Sequence, residues 1–154
     1  MTEFNIDDYK ASIASIDLLE CSYSVPNVQS GNSIDTHLEN HIEVGLGADG
    51  HSLIIMCTVH IKLTDKKITA AKLRIGSIYK IEMEGKEPSL KIKEQSQIPE
   101  TLIQSLITET VSITRGIMYS QFKGTSFEKV YLPLTNDDGK GEHPQKEPQQ
   151  AHRD

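Results

Sequence analysis

Apolar residues along this chain recur first at every second position and then, past residue 98, at every third or fourth. Leu19, Cys21, Tyr23 and Val25 alternate with Leu18, Glu20, Ser22 and Ser24, the period of a strand with one buried face. Pro26-Asn27 stops that run, and the polar QSGNS stretch reads as a loop. A second strand alternates Ile42, Val44 and Leu46 with His41, Glu43 and Gly45. Ala48-Asp49-Gly50 then closes a hairpin, because Asp-Gly tolerates positive φ. The third strand turns Leu53, Ile55, Cys57, Val59, Ile61 and Leu63 one way; Ser52, Ile54, Met56, Thr58, His60 and Lys62 go the other way. Asp65-Lys66 reverses the chain again. In the fourth strand Leu73, Ile75, Ser77, Tyr79, Ile81 and Met83 share a face, with Lys72, Arg74, Lys80 and Glu82 on the wet side. One apolar and one polar face per strand predicts an antiparallel sheet covered on one side.

After Gly85 a charged connection leads to Pro99, which suits the first turn of a helix, and Glu100, which suits its positive end. Leu102, Ile103, Leu106, Ile107, Val111, Ile113, Ile117 and Met118 then recur at helical steps until Gly124. The apolar arc is wide enough to imply two partners, the sheet and something else. Gly116 falls inside it and marks a kink or a close helix contact. Val130, Leu132 and Leu134 alternate briefly before the chain turns polar. The fold class is α+β: a four-stranded antiparallel sheet followed by a long helix packed on one face.

The segment 137–154 contains no branched aliphatic or aromatic side chain, so it is expected to be a disordered tail. Residues 1–12 are anchored only by Phe4, Ile6 and Tyr9 and are expected to be loosely ordered, leaving 13–136 as the domain. The chain has 154 residues, and 16 basic against 22 acidic side chains give a net charge of −6. That balance makes nucleic acid a poor partner, since nothing offsets the phosphates. The longest apolar run, 53–57, is far short of the roughly 20 residues of a membrane helix, and the acidic N-terminal stretch is unlike a secretion signal. A cytoplasmic location is expected. Aromatic residues make up only 5%, and tryptophan is absent, which favours self-association to bury apolar surface.

Catalytic constellations are not visible. Cys21 and Cys57 sit on strand faces without a CxxC or HExxH spacing, His37 and His41 straddle a loop and a strand start, and no phosphate loop or GxSxG elbow occurs. No metal, cofactor or enzymatic role is expected.

Four short strings, in order, resemble the SecB family of protein-export chaperones. They are LLECSYSVPN at 18–27, GSIYKIEMEG at 76–85, IPETLIQSLITETVSITRG at 98–116, and Gly124-Thr125 with Tyr131-Leu132-Pro133-Leu134 and Asn136. The resemblance implies ATP-independent binding of unfolded or precursor polypeptides. It also implies a homotetramer in which the long helices lie between two sheets and first strands pair across subunits. Helix residues Ile103, Ile107, Ile113 and Ile117 would then form the oligomer interface. Of the acids expected on the face that docks the translocase ATPase SecA, Glu20 is kept, whereas Ser24 and Lys72 stand where acids would align. The tail also lacks the cysteines of a zinc-binding docking segment, so SecA docking is expected to be weak or altered.

A protein that holds many unfolded chains needs adaptable apolar grooves. Met118, Tyr119, Phe122 and Phe127, with the exposed side of strands one and four, are the candidate polypeptide-binding residues. The competing reading is that Phe122 and Phe127 anchor the loop onto the sheet. Two further functions stay open: a SecB-like chaperone of a toxin–antitoxin pair, and a cystatin-like small-ligand carrier or cavity enzyme.

Overall fold

The computed structural model of the chain describes residues 6–24, 35–64, 68–86, 91–130 and 132. A short 3-10 turn at Ile6–Asp8 leads into strand β1, Tyr9–Tyr23, followed by β2, Thr36–Leu46, β3, Ser52–Leu63, and β4, Ile68–Met83. Another 3-10 turn at Gln95–Gln97 precedes the helix α1, Glu100–Phe122. The strands form one antiparallel sheet in the order β1-β4-β3-β2, so β1 and β2, adjacent in sequence, lie at opposite edges.

The centre of the sheet is the most apolar part of the sequence. Leu53, Ile55, Cys57, Val59 and Ile61 of β3 and Leu73, Ile75, Tyr79 and Ile81 of β4 are buried, all on the side covered by α1. The core divides along the strands. At one end Val59, Ile61 and Leu73 pack with Val111, Met118, Phe122, Phe127 and Leu132; at the other Tyr9, Leu53, Ile55, Tyr79 and Ile81 pack with Ile92, Ile98, Ile103 and Leu106. The α+β expectation and its order of elements are therefore correct.

Three details differ from the expectation. β1 begins at Tyr9, ahead of the boundary expected at 13, because Tyr9 and Ala11 already pair with Met83 and Ile81. Its register slips at Ala14 and again at Leu19, two β-bulges that each reverse the facing of everything beyond them. Leu18 therefore shares the helix side with Cys21 and Tyr23, while Leu19 lies over Gly76 on the open side. Finally, α1 continues as one helix past Gly116, and a Cβ added there would meet nothing within 4 Å, so no close contact among the described residues calls for a glycine.

The β2–β3 turn is built as expected. Gly50 has φ of 72° and Asp49 accepts hydrogen bonds from the His51 and Ser52 amides and from the Ser52 hydroxyl. The expected turn at Asp65-Lys66, residue Val25, and the tail 137–154 lie outside the described residues.

Candidate functional site

The helix lies across β3 and β4 and leaves the β1 side of the same layer open. By register, Ile13 stands opposite Tyr79, Ile16 opposite Ser77 and Leu18 opposite Ile75, all three of the latter fully buried. Their β1 partners are not: Ile13 and Ile16 are 41% exposed, Leu18 44% and Tyr23 49%. The two bulges create this stripe, since without them these residues could not share one face. From Ile13 to Tyr23 it runs about 30 Å along the strand. Tyr23 ends it, its ring edge-on to Phe122 with centroids 6.1 Å apart. Beside the stripe, the outer edge of β1 is paired to no strand among the described residues, so backbone amides and carbonyls accompany the apolar side chains.

Of the four residues expected to bind polypeptide, only Tyr119 is exposed. Met118, Phe122 and Phe127 are each 1% exposed and belong to the core, a correction with a simple cause. Positions 118 and 122 continue the inward arc of Val111 and Thr114 to the last turn of the helix, on the face that meets the sheet. Phe127 then folds back edge-on to Phe122, the loop-anchoring alternative. The stripe itself was only partly foreseeable. Ile13 and Ile16 precede the segment expected to be a strand, and the doublet Leu18-Leu19, which breaks alternation, is the one sequence signal of the bulge.

The expected interface residues divide as well. Ile103 is buried against the sheet, and Ile107 and Ile117 are half-buried and pack against core clusters. Ile113 is half-buried but belongs to neither cluster, on the flank of the helix arc.

The open face of the sheet is charge-balanced. Lys72 reaches Glu20 at 2.9 Å, Lys62 reaches Glu39 at 2.6 Å, and Arg74 spans to Glu43 at 3.6 Å. Glu20 is thus neutralised by the very lysine that stands where an acid was expected. Lys62 holds the Glu39 carboxyl below its usual range by hydrogen bonding to the carboxylate.

Between sheet and helix the polar groups are spent on one another. The Tyr79 hydroxyl donates to the Leu106 carbonyl at 3.3 Å and lies 2.9 Å from Thr110 Oγ1, while Thr114 donates to the Thr110 carbonyl at 2.8 Å. Burial pushes the Cys57 thiol up, with partial relief from Thr114, and pushes Cys21 up too, the reverse of an activated nucleophile. Among the described residues no group of three His, Cys, Asp or Glu side chains could hold a metal ion. Among the described residues no helix is long and apolar enough to cross a membrane.

No protein-family profile matches the sequence, and no curated protein sequence matches it. A Mycobacterium tuberculosis SecB-like chaperone, solved in complex with a ChAD peptide from an antitoxin, has a similar structure. Its TM-score is 0.59 at 12% identity, over 80% of this chain and 90% of that one. The fold is SecB-like. A Streptococcus agalactiae protein of unknown function aligns with a TM-score of 0.39 at 10% identity, over 75% of this chain and 89% of that one.

Proposed function

We propose that this SecB-like chain is an ATP-independent chaperone that holds unfolded or precursor polypeptides in the cytoplasm, and is not an enzyme. The observation that carries the reading is the uncovered stripe of Ile13, Ile16, Leu18 and Tyr23 on the helix side of an open edge strand. Apolar side chains select any non-native segment without reading its sequence.

The magnitudes also argue for assembly. Covering four half-exposed side chains recovers about 1 kcal/mol each. That gross gain of ~4 kcal/mol does not exceed the cost of association, so one stripe holds a client weakly. Several stripes on one oligomer, engaged by one long client, turn weak sites into useful avidity. A homotetramer with β1 edges paired across subunits and helix flanks near Ile113 in contact supplies them. Edge pairing uses backbone groups and leaves the side-chain stripe facing the helix layer. SecA docking through Glu20 is weak in this reading, because Lys72 offsets its charge.

A second reading within the same class is that the client is one antitoxin. It is favoured by the neighbour solved with an antitoxin peptide. The carrier or cavity-enzyme alternative is disfavoured by the internally bonded polar seam of Tyr79, Thr110 and Thr114.

Light scattering of an aggregating client tests the proposal. The protein is expected to suppress aggregation of several unrelated unfolding clients equally with and without ATP, and to ignore the same clients once folded. Failure with every client overturns the chaperone reading; success with one antitoxin alone selects the second.

A further inference from the structure

The chain enters the sheet beside a cleft, at the end away from Tyr23. The cleft, about 270 Å³, has Tyr9, Met83 and Ile92 as its apolar wall, with Lys86, Lys91 and Lys93 around them and Gln97 closing one side. Hydrogen bonds fix this wall from three directions. The Tyr9 hydroxyl donates to the Gln97 carbonyl at 2.6 Å, and the Ile92 amide donates to the Gly50 carbonyl at 2.8 Å. The Glu84 amide donates to the Asp8 carbonyl at 2.8 Å, which holds the chain at the edge of the cleft as far back as Asp8. The 3-10 turn Ile6–Asp8 leads to that point, and residues 1–5, with Phe4 among them, lie outside the described residues.

We infer that the N-terminal segment 1–5 is a strap whose Phe4 side chain docks in this cleft, against Tyr9, Met83 and Ile92. Phe4 is the only aromatic residue ahead of Tyr9, and a cleft of this size and apolar wall suits one such ring. It stands four residues before the fixed Asp8 carbonyl, so its reach from there is at most about 14 Å, and the wall residue Tyr9 is the next residue on. A tether that short gives the ring an effective concentration on the order of millimolar, which a client side chain at micromolar concentration does not match. The contact is apolar and needs no charge from the surrounding lysines.

Docked there, the strap also sets where the client stripe begins. By register Tyr9, Ala11 and Ile13 face the helix side together, opposite Met83, Ile81 and Tyr79. Tyr9 is buried and Ala11 half-buried, and exposure starts only at Ile13. A ring seated on Tyr9 closes that end of the path. This consequence rests on the polypeptide-holding reading, whereas the docking itself does not.

The chain has no tryptophan, so Phe4→Trp supplies a single indole as reporter. In the full-length protein its emission should be blue-shifted from that of the urea-unfolded chain, and acrylamide should quench it about threefold less. Met83→Gln in the same background makes one wall polar, and should move the emission to the red and raise quenching about twofold with circular dichroism unchanged. In the protein without tryptophan, Phe4→Ala should speed amide exchange at Ile92 about tenfold, and Phe4→Leu should do so less. An indole as red and as quenchable as in urea overturns the inference, as does one that Met83→Gln leaves unmoved or an Ile92 exchange rate that Phe4→Ala leaves unchanged. A red shift on adding an unfolded client at micromolar concentration also overturns it, by making the cleft a client subsite. Because the indole is read without client, a buried indole in a protein that holds no client keeps the strap and removes only the chaperone reading.

Discussion

The Tyr79 hydroxyl of the central strand β4 meets Thr110 Oγ1 in the middle of α1 at 2.9 Å, with both residues fully buried. The phenol also reaches the Leu106 carbonyl one turn back, at 3.3 Å. The contact fixes the height of the helix on the sheet and so decides which part of the apolar layer stays open. Tyr79→Phe leaves a buried hydroxyl short of a partner and should cost about 1–2 kcal/mol in urea unfolding. Tyr79→Phe with Thr110→Val should cost less than the sum of the single changes. Strict additivity would mean that the two groups do not hold each other. Burial also raises the Tyr79 phenol above its ordinary range. Stability from this group is thus complete below the unfolded tyrosine pKa and is lost as pH rises through the folded one, and the alkaline loss should be smaller in Tyr79→Phe.

Client holding should depend on the stripe and not on the aromatic cluster behind the helix. Ile13→Thr, Ile16→Thr and Leu18→Thr put β-branched strand formers at all three positions while removing apolar surface that is already half in water. The triple variant should fold with little change in its melting temperature yet suppress client aggregation several-fold less, since it removes about 3 kcal/mol of the gross contact and leaves Tyr23. Phe122→Ala, by contrast, should unfold the chain by about 3–5 kcal/mol. Equal client holding by wild type and triple variant would remove the stripe from the site.

Assembly separates two isoleucines that look alike in the sequence. Ile103→Lys buries a charge against the sheet and should destroy the subunit. Ile113→Lys lies outside both core clusters, so it should leave circular dichroism intact and lower the native mass. An unchanged mass would place the interface elsewhere.

How much of this was legible follows from local periodicity. β3 and β4 announce themselves because neither the alternation of Leu53 to Leu63 nor that of Leu73 to Met83 is interrupted on the covered face. β1 was legible only in part. Bulges at Ala14 and Leu19 insert single residues, and alternation read straight through Leu19 puts Leu18 on the wrong face. On the helix, Thr110 and Thr114 are buried among apolar neighbours. The inward arc they share leads on to Met118 and Phe122, whose adaptable and aromatic side chains suit a client groove as well as a core, so sequence alone does not separate the two. The lysine-rimmed cleft was illegible, because residues 9, 83, 86 and 91–97 are gathered only by the pairing of β1 with β4 and by the docking of the connection on Gly50.

Glycines give opposite expectations at two positions. Gly50→Ala meets both a φ of 72° and the Lys91 stem, and should cost about 1–2 kcal/mol in thermal unfolding. Gly116→Ala meets open space on a continuous helix and should stabilise the subunit by about 1 kcal/mol. A loss of stability or of assembly in Gly116→Ala would put another copy of the chain against that position.

The β2–β3 turn should weaken in acid for a reason that one carboxylate supplies. Asp49 accepts from Ser52 Oγ at 2.6 Å and from the His51 and Ser52 amides at 2.9 and 3.0 Å, and these bonds, the Ser52 hydroxyl first, lower its pKa. A carboxylate whose folded pKa is depressed contributes stability above its unfolded pKa, near 4. That contribution is lost as pH falls through the folded value. Asp49→Ala should therefore lower the urea midpoint at neutral pH, and the gap to wild type should close progressively below about pH 4. Asp49→Asn, which keeps an acceptor oxygen without the charge, should fall between them and show less pH dependence. The turn also carries the Gly50 carbonyl that holds Ile92, so acid should loosen the connection to α1 with it. Amide exchange at Ile92 measures that link, and protection that stays constant while the Asp49 gap closes would separate the turn from the cleft it braces.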